Sequence, residues 1–272
     1  MAGLRVATWN VNSIRTRVDR VVDWMVRADV DVLAMQETKC TDDKFPTMPF
    51  AAAGYDVAHC GYDQWNGVAI ASRVGIDDIA AGFPGQPAWG KDGAAAKAEA
   101  RALGATCAGV RVWSLYVPNG RAVDDPHYRY KLQWLAALRD CADSWIQRQP
   151  EAQIALVGDW NIAPTDDDVW DMEFFRGSTH VTESERQEFG AIETTFSDVV
   201  RPFAPGPEVY TYWDYTQLRF PKRQGMRIDF ILASPALAAR VVNAEIVRDE
   251  RKTGKNRIGS PSDHAPVFID IN

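Results

Sequence analysis

Along the chain, short apolar runs alternate with stretches whose apolar positions recur at helical spacing. Leu4 to Trp9 reads as a buried strand ending at Asn10, and Asp31 to Gln36 as another ending at Glu37. Between them, Thr16 to Ala28 predicts an amphipathic helix with Val18, Val21, Val22, Met25 and Val26 on one face. Asn66 to Ser72 and Val110 to Val117 predict two more strands. The Gly-, Ala- and Pro-rich stretch Gly82 to Gly104 between them reads as a mobile surface loop. Asp125 suits a cap and Pro126 a first turn, so a long helix opens there, with Leu132, Leu135, Leu138, Cys141 and Trp145 as its buried stripe. Ile154 to Gly158 is a strand leading into Asp159, and a helix is expected near Asp166 to Phe175. Val209 to Tyr215 is aromatic and strand-like, and Ile228 to Ala233 and Ala265 to Ile271 are the last two strands. No low-complexity linker divides the chain, so residues 1–272 read as one α/β domain with helices packed outside sheets. Some strand pairs are close enough for hairpins, which argues against a purely parallel sheet.

Composition narrows the class. With 46% hydrophobic residues in 272, there is material for one large core. No apolar run approaches the roughly 20 residues a membrane span needs. The segment Met1 to Val6 lacks a basic region followed by an apolar stretch, so a secretory signal is not expected and a cytoplasmic location is. The four cysteines form no CxxC pair, and Cys107 and Cys141 read as small core residues. The net charge of −7 weighs against a nucleic-acid partner, but its distribution softens the objection. From Arg219 to Arg257 there are ten Lys or Arg against four acids, whereas Asp159 to Asp198 carries eleven acids and two Arg. Solvated surface would explain both runs, and charge alone does not decide.

The candidate chemistry lies where apolar strands end. Asn10 follows LRVATW, Glu37 follows DVLAMQ, and Tyr116 sits in VRVWSLYVPNG. Asp159 and Asn161 follow IALVG, Asp229 lies in MRIDFIL, and Asp263 and His264 precede APVFIDI. Each alone has a plain structural explanation: a turn for Asn10, a helix cap for Glu37, an ion pair with Arg227 for Asp229. If these strands share sheets their ends converge on one rim, where the carboxylates and amides are oxygen donors that suit a hard cation such as Mg²⁺, and the histidine, tyrosine and asparagines beside them fit metal-assisted hydrolysis of a phosphate ester. There is no GxxxxGK[ST] or GxGxxG loop and no GxSxG elbow, so the common nucleotide-binding and serine-hydrolase readings fail.

Seven segments, in order, resemble the bacterial exodeoxyribonuclease III group of the exonuclease–endonuclease–phosphatase superfamily. They are TWNVNSIR (8–15), LAMQETK (33–39), SLYVPNG (114–120), GDWNIAPTDDDVW (158–170), YTYWDY (210–215), GMRIDFILAS (225–234) and SDHAPV (262–267). The resemblance implies a four-layer α-β-β-α sandwich, two mixed sheets face to face with helices outside. It implies a DNA-repair nuclease that cuts 5′ to abasic sites, with 3′-5′ exonuclease and 3′-phosphatase activity. Mg²⁺ would be the cofactor, with Mn²⁺ as a possible substitute, and the partner double-stranded DNA with abasic sites or blocked 3′ ends, met by a monomer with no membrane role.

Residue roles carry over as expectations. Glu37 matches the principal metal ligand, with Asn10 beside it and Asp263 completing the site. Asp159 matches the residue that activates or orients the attacking water, and Asn161 one that holds that water or a phosphate oxygen. Asp229 and His264 match a pair in which the imidazole contacts the scissile phosphate. Tyr116 and Asn119 fall on phosphate-side positions, and Arg101 on a contact to the DNA backbone. Tyr212, Trp213 and Met226 match elements near the pocket for an abasic sugar, and Arg219, Lys222, Arg223 and Arg227 supply further backbone contacts. Ile228 is expected to be core. The rivals are a phosphoesterase of the same superfamily acting on inositol phosphates or lipid headgroups, and a DNA-binding protein without activity. The aromatic segment 210–215 and the basic stretch after it favour DNA.

Overall fold

The computed structural model describes residues 3–90, 95–254 and 258–272. In chain order the strands are β1 (Leu4–Asn10), β2 (Val32–Gln36), β3 (Asp56–Cys60), β4 (Val68–Ser72), β5 (Asp77–Ala81), β6 (Ala102–Cys107), β7 (Val110–Tyr116), β8 (Ile154–Asp159), β9 (Ser197–Asp198), β10 (Asp229–Ala233), β11 (Val241–Ile246) and β12 (Val267–Ile271). The helices are α1 (Val18–Arg27), α2 (Thr47–Ala52), α3 (Pro126–Arg148), α4 (Met172–Phe175), α5 (Glu183–Glu193) and α6 (Pro235–Ala238). Among the described residues these strands form two six-stranded sheets, ordered β11-β12-β1-β2-β4-β3 and β5-β6-β7-β8-β10-β9. Both are mixed: β1 runs parallel to β2 and β7 to β8, and the other pairings are antiparallel.

The period of two along each strand sorts side chains into layers. Val6, Val32, Ile70, Val112, Val157 and Ile231 fill the space between the sheets. Ala7, Trp9, Leu33 and Met35 turn outward against Val21, Trp24 and Met25 of α1 and Phe50 of α2. On the other side, Trp113, Leu115, Leu156 and Phe230 pack under Trp134, Leu135 and Leu138 of α3 and Phe189 of α5. The result is the four-layer α-β-β-α sandwich. Each fully buried large aliphatic or aromatic side chain stabilises it by about 1.5–3 kcal/mol before entropy is counted.

Several expected elements differ. Gly82–Gly104 is not loop throughout: Trp89 bridges Lys97, Ala100 is buried, and Ala102 already belongs to β6, which is needed as the neighbour of β7. Residues 91–94 of that stretch lie outside the described residues, as do Lys255 and Arg257 of the basic run. Asp166 to Phe175 is two short pieces, a 3₁₀ turn at Asp166–Asp168 and α4, separated by Val169 in extended conformation. Val209 to Tyr215 is not a strand; Tyr212 makes isolated bridges to Met226 and His264. On α3 the cap at Asp125 is present, its side chain accepting from His127 N at 2.7 Å. Its buried stripe, however, runs through Trp134 and even Lys131, while Leu132 and Trp145 are half-buried. Val26 of α1 is exposed. All four cysteines are buried and free. No helix among the described residues is long and apolar enough to cross a membrane.

Candidate active site

Strand register delivers the site. Asp159 is the partner of Tyr116 across β7–β8 and of Asp229 across β8–β10. By parity with Val157 and Ile231, which enter the inter-sheet core, these end residues point into the mouth between the sheets. In the facing sheet Asn10 pairs with Gln36, which sets Glu37 one residue beyond the strand. Asn10 then ties the two sheets together, its Nδ2 donating to Glu37 Oε1 and to Asp159 Oδ2, both at 2.9 Å. Close approach of β8 to β7 needs Gly158, whose φ is 148° and where a Cβ would stand 1.9 Å from the Leu115 carbonyl oxygen.

His264 arrives from the loop before β12. The Trp9 indole donates to its carbonyl oxygen at 3.0 Å, and the Ser262 hydroxyl donates to the Asn10 carbonyl at 2.7 Å. Its Nδ1 donates to Asp229 Oδ2 at 2.8 Å, and its Nε2 faces Asp159 Oδ2 at 3.8 Å. Burial alone would push the imidazole down; Asp229 and Asp159 overcome it and hold it up at about 10. Burial raises the Asp159 carboxyl to about 7, with Asp229 and Glu37 adding to the rise and His264 opposing it. Burial would also raise Glu37, but the Lys39 ammonium at 2.6 Å from Oε2 and the Asn10 amide hold it below the usual range. The Tyr116 phenol is driven well up by burial and by Glu37.

Glu37, Asp159 and His264 each bring a ligand-type atom within 4.8 Å of the others. His264 is engaged with Asp229 through Nδ1, which leaves Glu37 and Asp159 as the carboxylates that could hold a cation. The two other residues expected in the metal set stand beside these carboxylates in a hydrogen-bonded chain. Asn10 turns its N–H groups to the carboxylates, while its oxygen accepts from Asn12 N at 3.0 Å. Asp263 Oδ1 accepts from Asn12 Nδ2 at 3.0 Å, with the Ser262 hydroxyl oxygen 3.2 Å away. Asn12 is the link between them, and its Oδ1 also accepts from Lys39 at 2.6 Å.

The phosphate-side groups form a second network. Asn161 Nδ2 donates to the Val117 carbonyl at 2.9 Å, and its backbone N–H to Asp159 Oδ1 at 2.9 Å. Asn119 Nδ2 donates to Asn161 Oδ1 at 3.2 Å. Two participants went unseen in the sequence. His180 Nε2 lies 3.0 Å from Asn161 Oδ1, and burial and Lys131 lower its imidazole to about 4, leaving it neutral. Lys131, fully buried, donates to the carbonyls of Asn161 (2.6 Å) and Asn119 (3.3 Å) and to Glu185 (2.5 Å). Glu185 in turn closes a capping box with Thr182 at the start of α5, and that T-x-x-E pattern was the available signal.

Backbone strain concentrates here. Asn12, Ser13, Glu37, Lys39, Asn161 and His180 all have positive φ, between 42° and 86°. Each such conformation costs on the order of 1–3 kcal/mol, which the surrounding hydrogen bonds must offset.

The expected DNA-facing residues divide. Tyr212 lies over His264, ring centroids 4.9 Å apart, and with Met226, Trp170, Phe174 and Phe175 lines an apolar cleft of about 140 Å³. Trp213, next in the extended chain, points the other way and is 1% exposed against Tyr210 and Ala265, so it is core. Arg227 is likewise buried, bound to Asp168 at 2.6 Å and Asp198 at 2.5 Å. Arg101 is buried, paired with Glu99 at 2.6 Å and lying over the Tyr116 ring at 4.9 Å. Ile228 is core as expected. Arg219 covers Trp170 and Phe174, while Lys222 and Arg223 stand exposed.

Residues 7–264 match the Endonuclease/Exonuclease/phosphatase family. The structure of the 3′ phosphatase NExo from Neisseria, bound to product DNA hairpin, is 34% identical, with a TM-score of 0.89 and 99% of each chain covered. An AP endonuclease from Archaeoglobus fulgidus is 36% identical, with a TM-score of 0.87 and 99% of each chain covered. Among curated proteins, exodeoxyribonuclease III of Haemophilus influenzae is 26% identical over 277 residues, 98% of this chain and 100% of that one. The chain belongs to the Endonuclease/Exonuclease/phosphatase family, as one of its DNA-repair nucleases.

Proposed function

We propose that this protein is a Mg²⁺-dependent nuclease of the exodeoxyribonuclease III type that hydrolyses DNA phosphodiesters 5′ to abasic sites and also works on 3′ ends as exonuclease and phosphatase. It would act as a monomer, as one catalytic domain, in the cytoplasm. The observation that carries the reading is the cluster of Glu37, Asp159 and His264 within 4.8 Å, with Asp229 behind the imidazole. A buried Asp159 and a half-buried Glu37, each a hard oxygen donor, fit a divalent cation, and Mg²⁺ suits such a set, with Mn²⁺ as a substitute. When bound, the cation supplies Lewis-acid polarisation of a phosphate oxygen and neutralises developing charge, worth several kcal/mol.

The chain's own groups do the rest. Asp159, with its carboxyl raised to about 7, takes the proton of the attacking water or orients it. Asn161, fixed by the Val117 carbonyl, stands beside it to hold that water or a phosphate oxygen. Protonated His264 donates from Nε2 a charge-assisted hydrogen bond to the phosphate, while Asp229 fixes the ring. Tyr116 and Asn119 line the same phosphate. Tyr212 and Met226 would receive a sugar that has lost its base.

A second reading weights 3′ ends over internal sites, because the matched Neisseria structure is of a 3′ phosphatase. End-labelled duplexes with and without one abasic site, and with a 3′-phosphate, separate these activities in added Mg²⁺. Cleavage 5′ to the abasic site is the expected result. Release of phosphate from small esters with no cut in any duplex would move the assignment to a non-DNA phosphoesterase.

A further inference from the structure

Beside the catalytic mouth opens a second cleft of about 610 Å³, walled by Tyr62 and Trp65 from the turn between β3 and β4, by Trp89, and by Lys97 and Arg121. It borders the site directly, because Asn119 and Arg101 line it as well. Its rings are held in two ways. Trp89 is fixed, stacked on Tyr130 at 5.2 Å and edge-on to His127 at 5.0 Å, with the Arg121 guanidinium 5.9 Å over it. Tyr62 and Trp65 instead stand 56% and 64% exposed. Scattered exposed aromatics are ordinary, but three converging on one cleft with two cations are a recognition surface. Of its two acidic groups, Glu99 is engaged by Arg101 at 2.6 Å and exposed Asp63 accepts from the Trp65 backbone N–H at 2.6 Å, while Lys97 and Arg121 are solvent-exposed.

A paired duplex offers phosphates and base edges and hides its base faces within the stack, so cations alone would serve it. Exposed ring faces next to cations match a strand whose base has left the stack. We propose that this cleft receives an unpaired nucleobase of the DNA strand next to the scissile phosphate, stacked on Tyr62 and Trp65 with flanking phosphates on Lys97 and Arg121. The inference rests on the nuclease function proposed above and narrows its substrate to DNA that is frayed or unpaired beside the cut. The volume suits one nucleoside-sized group.

The test is binding and cleavage of a duplex bearing a short unpaired 3′ tail that contains 2-aminopurine, against a fully paired duplex. The fluorophore in the tail should be quenched on binding. Trp65→Ala should weaken affinity for the tailed duplex about tenfold more than for the paired one, Tyr62→Ala should do so to a smaller extent, and Trp65→Phe should restore most of the loss. Both side chains are exposed, so these variants leave the fold intact. Absence of quenching, or equal weakening on both duplexes, would overturn the cleft assignment. Quenching is read from binding alone, so it decides the cleft separately from turnover; failure of the wild-type protein to cut either duplex would instead remove the nuclease reading.

Discussion

His264 sits between two carboxylates, with Nδ1 2.8 Å from Asp229 and Nε2 3.8 Å from Asp159. The first contact fixes the ring and keeps it charged; the second keeps that charge beside the raised carboxyl of Asp159. Asp229→Asn removes the orienting charge and leaves the pocket volume unchanged. Turnover should fall about 10²-fold, with little change in KM, and the imidazole should titrate at lower pH. A variant with normal turnover would show that the pair is structural.

The two titrations set a pH window. Asp159 is useful deprotonated, so kcat/KM should rise as pH passes upward through about 7. His264 is useful protonated, so the rate should fall as pH passes through about 10. A divalent cation beside Glu37 and Asp159 favours the ionised carboxyl, so the acid limb should move to lower pH as Mg²⁺ concentration rises. A pH–rate profile at two Mg²⁺ concentrations checks this; an acid limb indifferent to Mg²⁺ would separate Asp159 from the cation.

Lys131 and Glu185 are both fully buried and joined at 2.5 Å. Lys131→Met leaves a carboxylate uncompensated in the core and releases the carbonyls of Asn119 and Asn161. It should destabilise the fold by about 3–5 kcal/mol, and Lys131→Met with Glu185→Leu should recover much of that in a denaturant titration. The recovered double variant should remain slow, because nothing then holds the two asparagine carbonyls.

Gly158→Ala meets the Leu115 carbonyl oxygen at 1.9 Å in a backbone conformation that L side chains avoid. The strands must part, costing on the order of 3 kcal/mol and shifting Asp159, which follows it. Thermal unfolding and turnover should therefore fall together.

What the sequence revealed follows from what strand periodicity can carry. Central strands such as β1, β8 and β10 are apolar on both faces, and their polar ends mark the site. Edge strands β5 and β11 are largely exposed, with sequences such as DDIAA, and look like loop. Helix α5 buries only Glu185, Phe189 and Ile192, too few apolar positions to show periodicity. Lys131 on a helix and Arg227 beside a strand read as surface by type; only tertiary partners reveal that they are buried. Trp213 and Tyr212 differ by one step of an extended chain, and without its facing direction either ring could have been the exposed one. The site's convergence was legible, whereas the role of Asn12 between Lys39 and Asp263, and of His180 beside Asn161, needed loop geometry that no local pattern encodes.

Asp159, set between Glu37 and His264, is the group on which the proposed metal-dependent hydrolysis of DNA turns. Single-turnover cleavage of an end-labelled abasic duplex in Mg²⁺, by wild type and Asp159→Asn, paired with binding of the same duplex, decides its role. Wild type should cut 5′ to the abasic site, and Asp159→Asn should bind comparably and cut at least about 10²-fold more slowly. Near-normal cutting by Asp159→Asn, or wild-type cutting unaffected by chelation of divalent cations, would contradict it.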